Sequence, residues 1–189
     1  MIDDQNNERR RIEFIDVAEK LFKKNGIVDT TINSIVKEMD VAKGLFYYYF
    51  KSKDDMIEAI SEKYNETFVK GIKRSLNKSD YDERLTLYLE NVIISFRQLW
   101  GNLHGENENI DLSILATRTF DEAKRIASNV LKDLLQEGVE KEKLKINNIS
   151  YYSDMIISGI VELISHNESD LKEIQAFINE LINQVRKEK

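Results

Sequence analysis

Between residues 41 and 53 the chain carries Lys43, Lys51 and Lys53 and no acidic side chain, although its formal net charge is −6. Three tyrosines in a row, Tyr47, Tyr48 and Tyr49, interleave these cations, and Arg9, Arg10 and Arg11 form a second basic cluster. Ammonium and guanidinium groups are hydrogen-bond donors suited to phosphate oxygens. An acidic protein that binds a polyanion must gather its cations on one face, because phosphate neutralisation and counterion release supply most of the non-specific affinity. The arginine cluster would let an N-terminal arm reach neighbouring phosphates.

Other chemistries find little support. There is no cysteine, which removes disulfides, thiol nucleophiles and thiolate metal sites. His104 and His166 are 62 residues apart and in no metal-ligand spacing, so they read as exposed loop or helix-end histidines. No G-x-S-x-G, G-x-G-x-x-G or P-loop pattern occurs, and the many carboxylates fall on solvated helix faces. The expectation is a protein that is not an enzyme and needs no cofactor or metal. The N-terminus lacks the apolar stretch of an export signal, and the longest apolar run, Met155 to Ile164, is about half a bilayer span and contains Glu162. A cytoplasmic protein without membrane contact is expected.

Helices must position these groups. Proline is absent and glycine occurs seven times, so the usual punctuation of strands and tight turns is missing. Apolar residues Ile12, Phe14, Ile15, Ala18, Leu21 and Phe22 recur at intervals of three and four, predicting a helix from about Asn7 to Asn25 that ends on Gly26. Thr30 and Thr31 offer an N-cap for a short helix carrying Ile32, Ile35, Val36 and Met39. After a corner at Asp40-Val41, a third short helix turns Phe46 and Phe50 inward. Two short helices across a three-residue corner have the proportions of a helix-turn-helix, whose second helix enters the major groove.

Ser52 caps a longer helix with Asp54 and Asp55 in its first turn and an apolar stripe from Ile57 to Leu76. A helix over Leu85 to Trp100 follows, then the polar loop Gly101 to Asn109, then two helices, Leu112 to Phe120 and Ala123 to Leu135, the second stopped at Gly138. The stretch Glu140 to Lys145 reads as a solvated connection. The last two helices, Ile149–Ile164 and Leu171–Val185, are apolar on more than one face, and a four-helix bundle with a second copy would cover them. The fold class is all-α: a three-helix helix-turn-helix DNA-binding domain over residues 1–52, and a C-terminal helical ligand-binding and dimerisation domain over 53–189. Aromatic residues Tyr64, Phe68, Tyr88, Phe96, Trp100, Phe120 and Tyr152 gather in the middle helices. A pocket lined by Phe96, Trp100 and Phe120 would take an apolar or amphipathic molecule.

Residues 11–60 resemble the N-terminal domain of TetR-family transcriptional regulators. The resemblance rests on the run from Phe14 to Phe22, on Gly26, Thr30-Thr31 and Ile35, and on Val41 to Lys53, with K-G-x-x-Y-Y-Y-F-K-S-K at its centre. It implies a homodimeric repressor that binds a palindromic double-stranded DNA operator and is released by a small-molecule inducer. It also implies site residues. Lys43 and Gly44 would open the recognition helix, Gly44 allowing close backbone approach. Leu45 would read only a thymine methyl or shape. Tyr47, Tyr48 and Tyr49 would present hydroxyls to phosphates, Thr31 would cap the preceding helix at the backbone, and Lys53 would meet a phosphate. Three residues depart from the family pattern: Asp40 stands for the usual turn glycine, Ala42 for serine or threonine, and Leu45 for a polar residue. These departures leave room for a helical protein-interaction adaptor that does not bind DNA.

Overall fold

The computed structural model describes residues 2–104, 110–166 and 170–187, which leaves the end of the Gly101 to Asn109 loop outside the described residues. Among the described residues eight α-helices follow one another: α1 Ile2–Asn25, α2 Ile32–Glu38, α3 Lys43–Tyr49, α4 Lys53–Ile72, α5 Tyr81–Leu103, α6 Ser113–Glu140, α7 Ile149–Ser165 and α8 Leu171–Gln184. A 3-10 turn, Lys73–Ser75, follows α4. Among the described residues the sole β-type pairing is an isolated antiparallel bridge between Leu144 and Arg186. Among the described residues no helix is long and apolar enough to cross a membrane.

The chain forms two compact units. The first comprises residues 1–64 and 103–119, the second residues 65–102 and 120–189. In the first, Phe14, Ala18, Phe22, Ile35, Phe46 and Phe50 are buried. Phe14 is the hub: its ring meets Phe46 edge-on at 6.0 Å and lies 6.1 Å from Phe50. The guanidinium of Arg11 covers the Phe50 ring at 5.3 Å.

Helix ends in this unit follow from local chemistry. Gly26 adopts φ +83° and its N–H donates to Phe22 O at 2.8 Å, closing α1 in the left-handed conformation that a side chain would strain. At α2, Thr31 Oγ1 accepts from Ser34 N at 3.1 Å while Ser34 Oγ accepts from Thr31 N at 3.0 Å, a reciprocal capping box. Thr30 does something else: its buried hydroxyl lies 2.8 Å from Gly26 O and tucks the loop against the end of α1. The corner after α2 is a Schellman motif, with Asp40 N donating to Lys37 O and Val41 N to Val36 O. Asp40 holds the left-handed position at φ +52°, so the corner forms without glycine.

In the second unit, Leu85, Tyr88, Leu89, Val92, Phe96, Leu131 and Leu135 of α5 and α6 are buried, as are Ile156, Ile160 and Ile164 of α7 and Ile174, Ile178 and Ile182 of α8. Three boundaries differ from the sequence expectation. α1 begins at Ile2 rather than near Asn7, an extension with no apolar stripe to mark it in the sequence. α6 is one helix rather than two, and Gly138 lies inside it. Gly138 is needed there for packing, because a Cβ would fall 2.0 Å from Tyr81 Oη and 2.7 Å from Leu144 Cδ1. The connection after α6 is also no loose linker: Lys145 N donates to Val185 O and Lys187 N to Lys143 O.

Candidate nucleic-acid interface

The recognition surface starts from the 3.6-residue period of α3. Phe46 and Phe50, one turn apart, are buried, which rotates Lys43, Gly44, Tyr47 and Tyr48 to the exposed side. Tyr48 is 68% exposed and Tyr47 51%, values that ordinary core packing would not leave. Leu45 and Tyr49 are half-buried. Tyr49 spans both settings, its ring 5.6 Å from Phe14 and 4.9 Å from Tyr48. A Cβ at Gly44 would meet nothing within 4 Å, so the protein's own packing does not demand a glycine there. Ala42 is the N-cap of α3 and supplies no side-chain hydrogen bond. Thr31, exposed at the start of α2, uses its hydroxyl in the capping box.

Lys53 is placed differently from Lys43. Its ammonium lies 2.7 Å from Ile27 O, 3.0 Å from Thr30 O and 3.4 Å from Val28 O, so the loop between α1 and α2 already takes up its donors. The sequence offered no signal for this, since the partners lie 23 to 26 residues away. The acidic residues that follow are also engaged. Arg118 Nη2 donates to Asp54 Oδ1 at 2.9 Å and Nη1 to Glu58 Oε2 at 3.0 Å, while Asp55 Oδ2 accepts from Lys51 N at 2.8 Å. Behind the surface, Glu19 accepts from Tyr64 Oη at 2.5 Å and from Lys63 Nζ at 2.7 Å. Burial pushes the Glu19 carboxyl up, but hydrogen bonds from Lys23, Lys63 and Tyr64 outweigh it and bring its pKa down to about 2.

The three aromatic residues named for ligand binding come together in the second unit. Phe96 and Phe120 are buried and stacked at 6.2 Å, and Trp100, half-buried, meets Phe120 edge-on at 5.7 Å. Phe68 joins them, 4.6 Å from Phe96. Tyr88 and Tyr152 have other work, donating to Ala127 O at 2.6 Å and Leu181 O at 2.7 Å. Sequence reasoning missed Asn65, which is 7% exposed and whose side-chain oxygen has no hydrogen-bond partner in the protein. An asparagine next to a helical apolar stripe carries no mark that distinguishes a buried position from an exposed one. His104 and His166 are exposed at helix ends, and among the described residues no His, Asp and Glu group could hold a metal ion.

Comparison with known proteins agrees with this geometry. Residues 14–60 match the family model described as bacterial regulatory proteins, tetR family. The chain is 29% identical over 126 residues to the HTH-type transcriptional regulator HbdR of Aromatoleum sp. (strain CIB), an alignment covering 67% of this chain and 51% of that protein. The chain thus spans about half the length of that relative. It is 24% identical over 164 residues to the fatty acid metabolism regulator protein of Bacillus subtilis (strain 168), covering 82% and 81% of the two chains. The crystal structure of a TetR-family regulator from Syntrophomonas wolfei superposes with a TM-score of 0.70 at 18% identity, covering 94% of each chain, a likeness of fold. The α2–α3 corner, the outward tyrosines of α3 and the matched span agree: residues 14–60 match the tetR family of bacterial regulatory proteins, and the chain is similar to TetR-family transcriptional regulators.

Proposed function

We propose that this protein is a homodimeric transcriptional repressor that binds a palindromic operator and leaves it when a small molecule occupies the second unit. One observation carries the reading: α3 buries Phe46 and Phe50 while presenting Lys43, Gly44, Tyr47 and Tyr48 to solvent, the division of faces that a helix lying in a major groove requires. Residues 1–52 would be the reading head and 53–189 the part that binds ligand and pairs with a second copy. Exposed Tyr151 and Met155 on α7 and Phe177 on α8 support pairing through the last two helices, since apolar side chains of this size gain by being covered. The rings of Phe96, Trp100 and Phe120 favour an apolar or amphipathic inducer, in keeping with a relative named as a regulator of fatty acid metabolism. Such an inducer acts only if it prefers the dimer in which the two recognition helices are wrongly spaced for the operator.

A gel-shift titration with the protein's own upstream DNA tests the reading. Lys43→Ala and Tyr47→Phe each weaken binding, and affinity falls steeply with salt. A protein that retains no duplex even at low salt would instead be a helical interaction module.

A further inference from the structure

A buried polar atom without a partner costs stability, so one that persists asks for an explanation. Among the described residues two buried side-chain oxygens are in this position, Asn65 Oδ1 and Tyr81 Oη. Packing explains the second: Tyr81 Oη is pressed against the backbone of α6 at Gly138, where a Cβ would fall 2.0 Å from it. Asn65 has a different setting. It lies on the buried face of α4 one turn before Phe68, the ring that meets Phe96 at 4.6 Å. α5 runs back along α4, since Gly71 faces Ser95 and Phe68 meets Phe96. The same register carries Asn65 to the level of Trp100, whose ring meets Phe120.

We propose that Asn65 is the polar anchor of this aromatic cluster: its Oδ1 accepts a hydrogen bond from the hydroxyl or amide N–H of a neutral amphipathic molecule whose apolar body lies against Phe68, Phe96, Phe120 and Trp100. This rests on the reading of these rings as the place a small molecule occupies, and it adds the chemical class of that molecule. Neutrality follows from the composition of the interior. Among the described residues the buried polar side chains are hydroxyls and this one carboxamide, with no ammonium or guanidinium. A carboxylate taken into such an interior would lose its hydration without gaining a counter-charge, and the carboxamide oxygen would repel it. A neutral donor meets neither penalty and removes the cost of the unpaired oxygen as it binds. A ligand without a donor leaves that oxygen unpaired, so the anchor also discriminates.

The chain has a single tryptophan, so the fluorescence of Trp100 reports binding at the cluster directly. The full-length protein is titrated with n-decanol, with its isomer nonyl methyl ether, which has the same atoms but no donor, and with decanoate, a carboxylate at neutral pH. The parent binds decanol about tenfold more tightly than the ether, the worth of roughly one hydrogen bond to an otherwise unpaired group, and decanoate more weakly than either. Asn65→Leu keeps the branched outline of the side chain and reverses the order of alcohol and ether, since the decanol hydroxyl is then the group buried without a partner. Circular dichroism melts show the variant folded, separating a lost anchor from a lost fold. If the parent takes decanol and the ether equally, or if Asn65→Leu leaves the preference for decanol in place, Asn65 is no anchor and the cluster remains a ligand site without it. Tightest binding of decanoate by the parent overturns the neutral class. If none of the three compounds changes the fluorescence of Trp100, both the anchor and the reading of the cluster as a ligand site fall.

Discussion

Two parts of this molecule are rich in aromatic residues, and they use them in opposite ways. On α3 five aromatics in succession, Phe46 to Phe50, are sorted by the helical period, phenylalanines inward and exposed phenols outward, so each hydroxyl avoids the cost of burial. In the second unit Phe68, Phe96 and Phe120 have no hydroxyl to satisfy and are buried together, with Trp100 at their edge. The contrast separates a surface built to touch something polar from an interior suited to something apolar.

The strongest test of this contrast is truncation of one anchor on each side. Phe46→Ala and Phe96→Ala remove fully buried rings, and each costs about 3 to 5 kcal/mol, read as a shift in urea midpoint. They part in DNA binding: the first abolishes it and the second leaves the folded protein's affinity intact. Equal loss of DNA binding in both would break the comparison.

Next in size is the polar support of the reading unit. Glu19→Gln removes the carboxylate shared by Lys23, Lys63 and Tyr64, with Asp16 still paired to Lys63, and costs on the order of 2 kcal/mol. The native carboxyl titrates at about 2 against a reference of 4.5. Its contribution is therefore complete above the reference value and is lost as pH falls toward the native one. Urea midpoints of the parent fall across that acid window, and those of the variant fall less.

A smaller effect of opposite sign is expected inside the bundle. Asn65→Leu removes a buried amide oxygen that the protein leaves without a partner and raises stability by about 1 kcal/mol, read from the thermal midpoint. The smallest change is Tyr47→Phe, which shifts stability by less than about 0.5 kcal/mol because the residue is exposed, yet weakens DNA binding severalfold.

Local chemistry made much of this legible from sequence. Gly26, Thr31 and Ser52 marked helix ends correctly because caps act over three or four residues, and the inward facing of Phe46 and Phe50 followed from their spacing. Long-range contacts were not legible. Gly138 read as a stop because the ring of Tyr81, 57 positions earlier, is invisible to a local pattern. Thr30 and Thr31 looked interchangeable until one proved buried and the other capped α2. The role of Lys53 likewise depended on carbonyls of a distant loop.

The left-handed aspartate between α2 and α3 has one more implication. A carboxylate at Asp40 sits on the exposed corner of a surface meant for a polyanion, and its backbone adopts a conformation that glycine would hold without strain. Asp40→Gly therefore both relaxes the hinge of the reading head and removes a repulsive charge, so it grips duplex more tightly and lets go more slowly than the parent. If the proposed function holds, the natural residue would shorten each stay on the operator, which suits a regulator that must answer promptly to a changing signal.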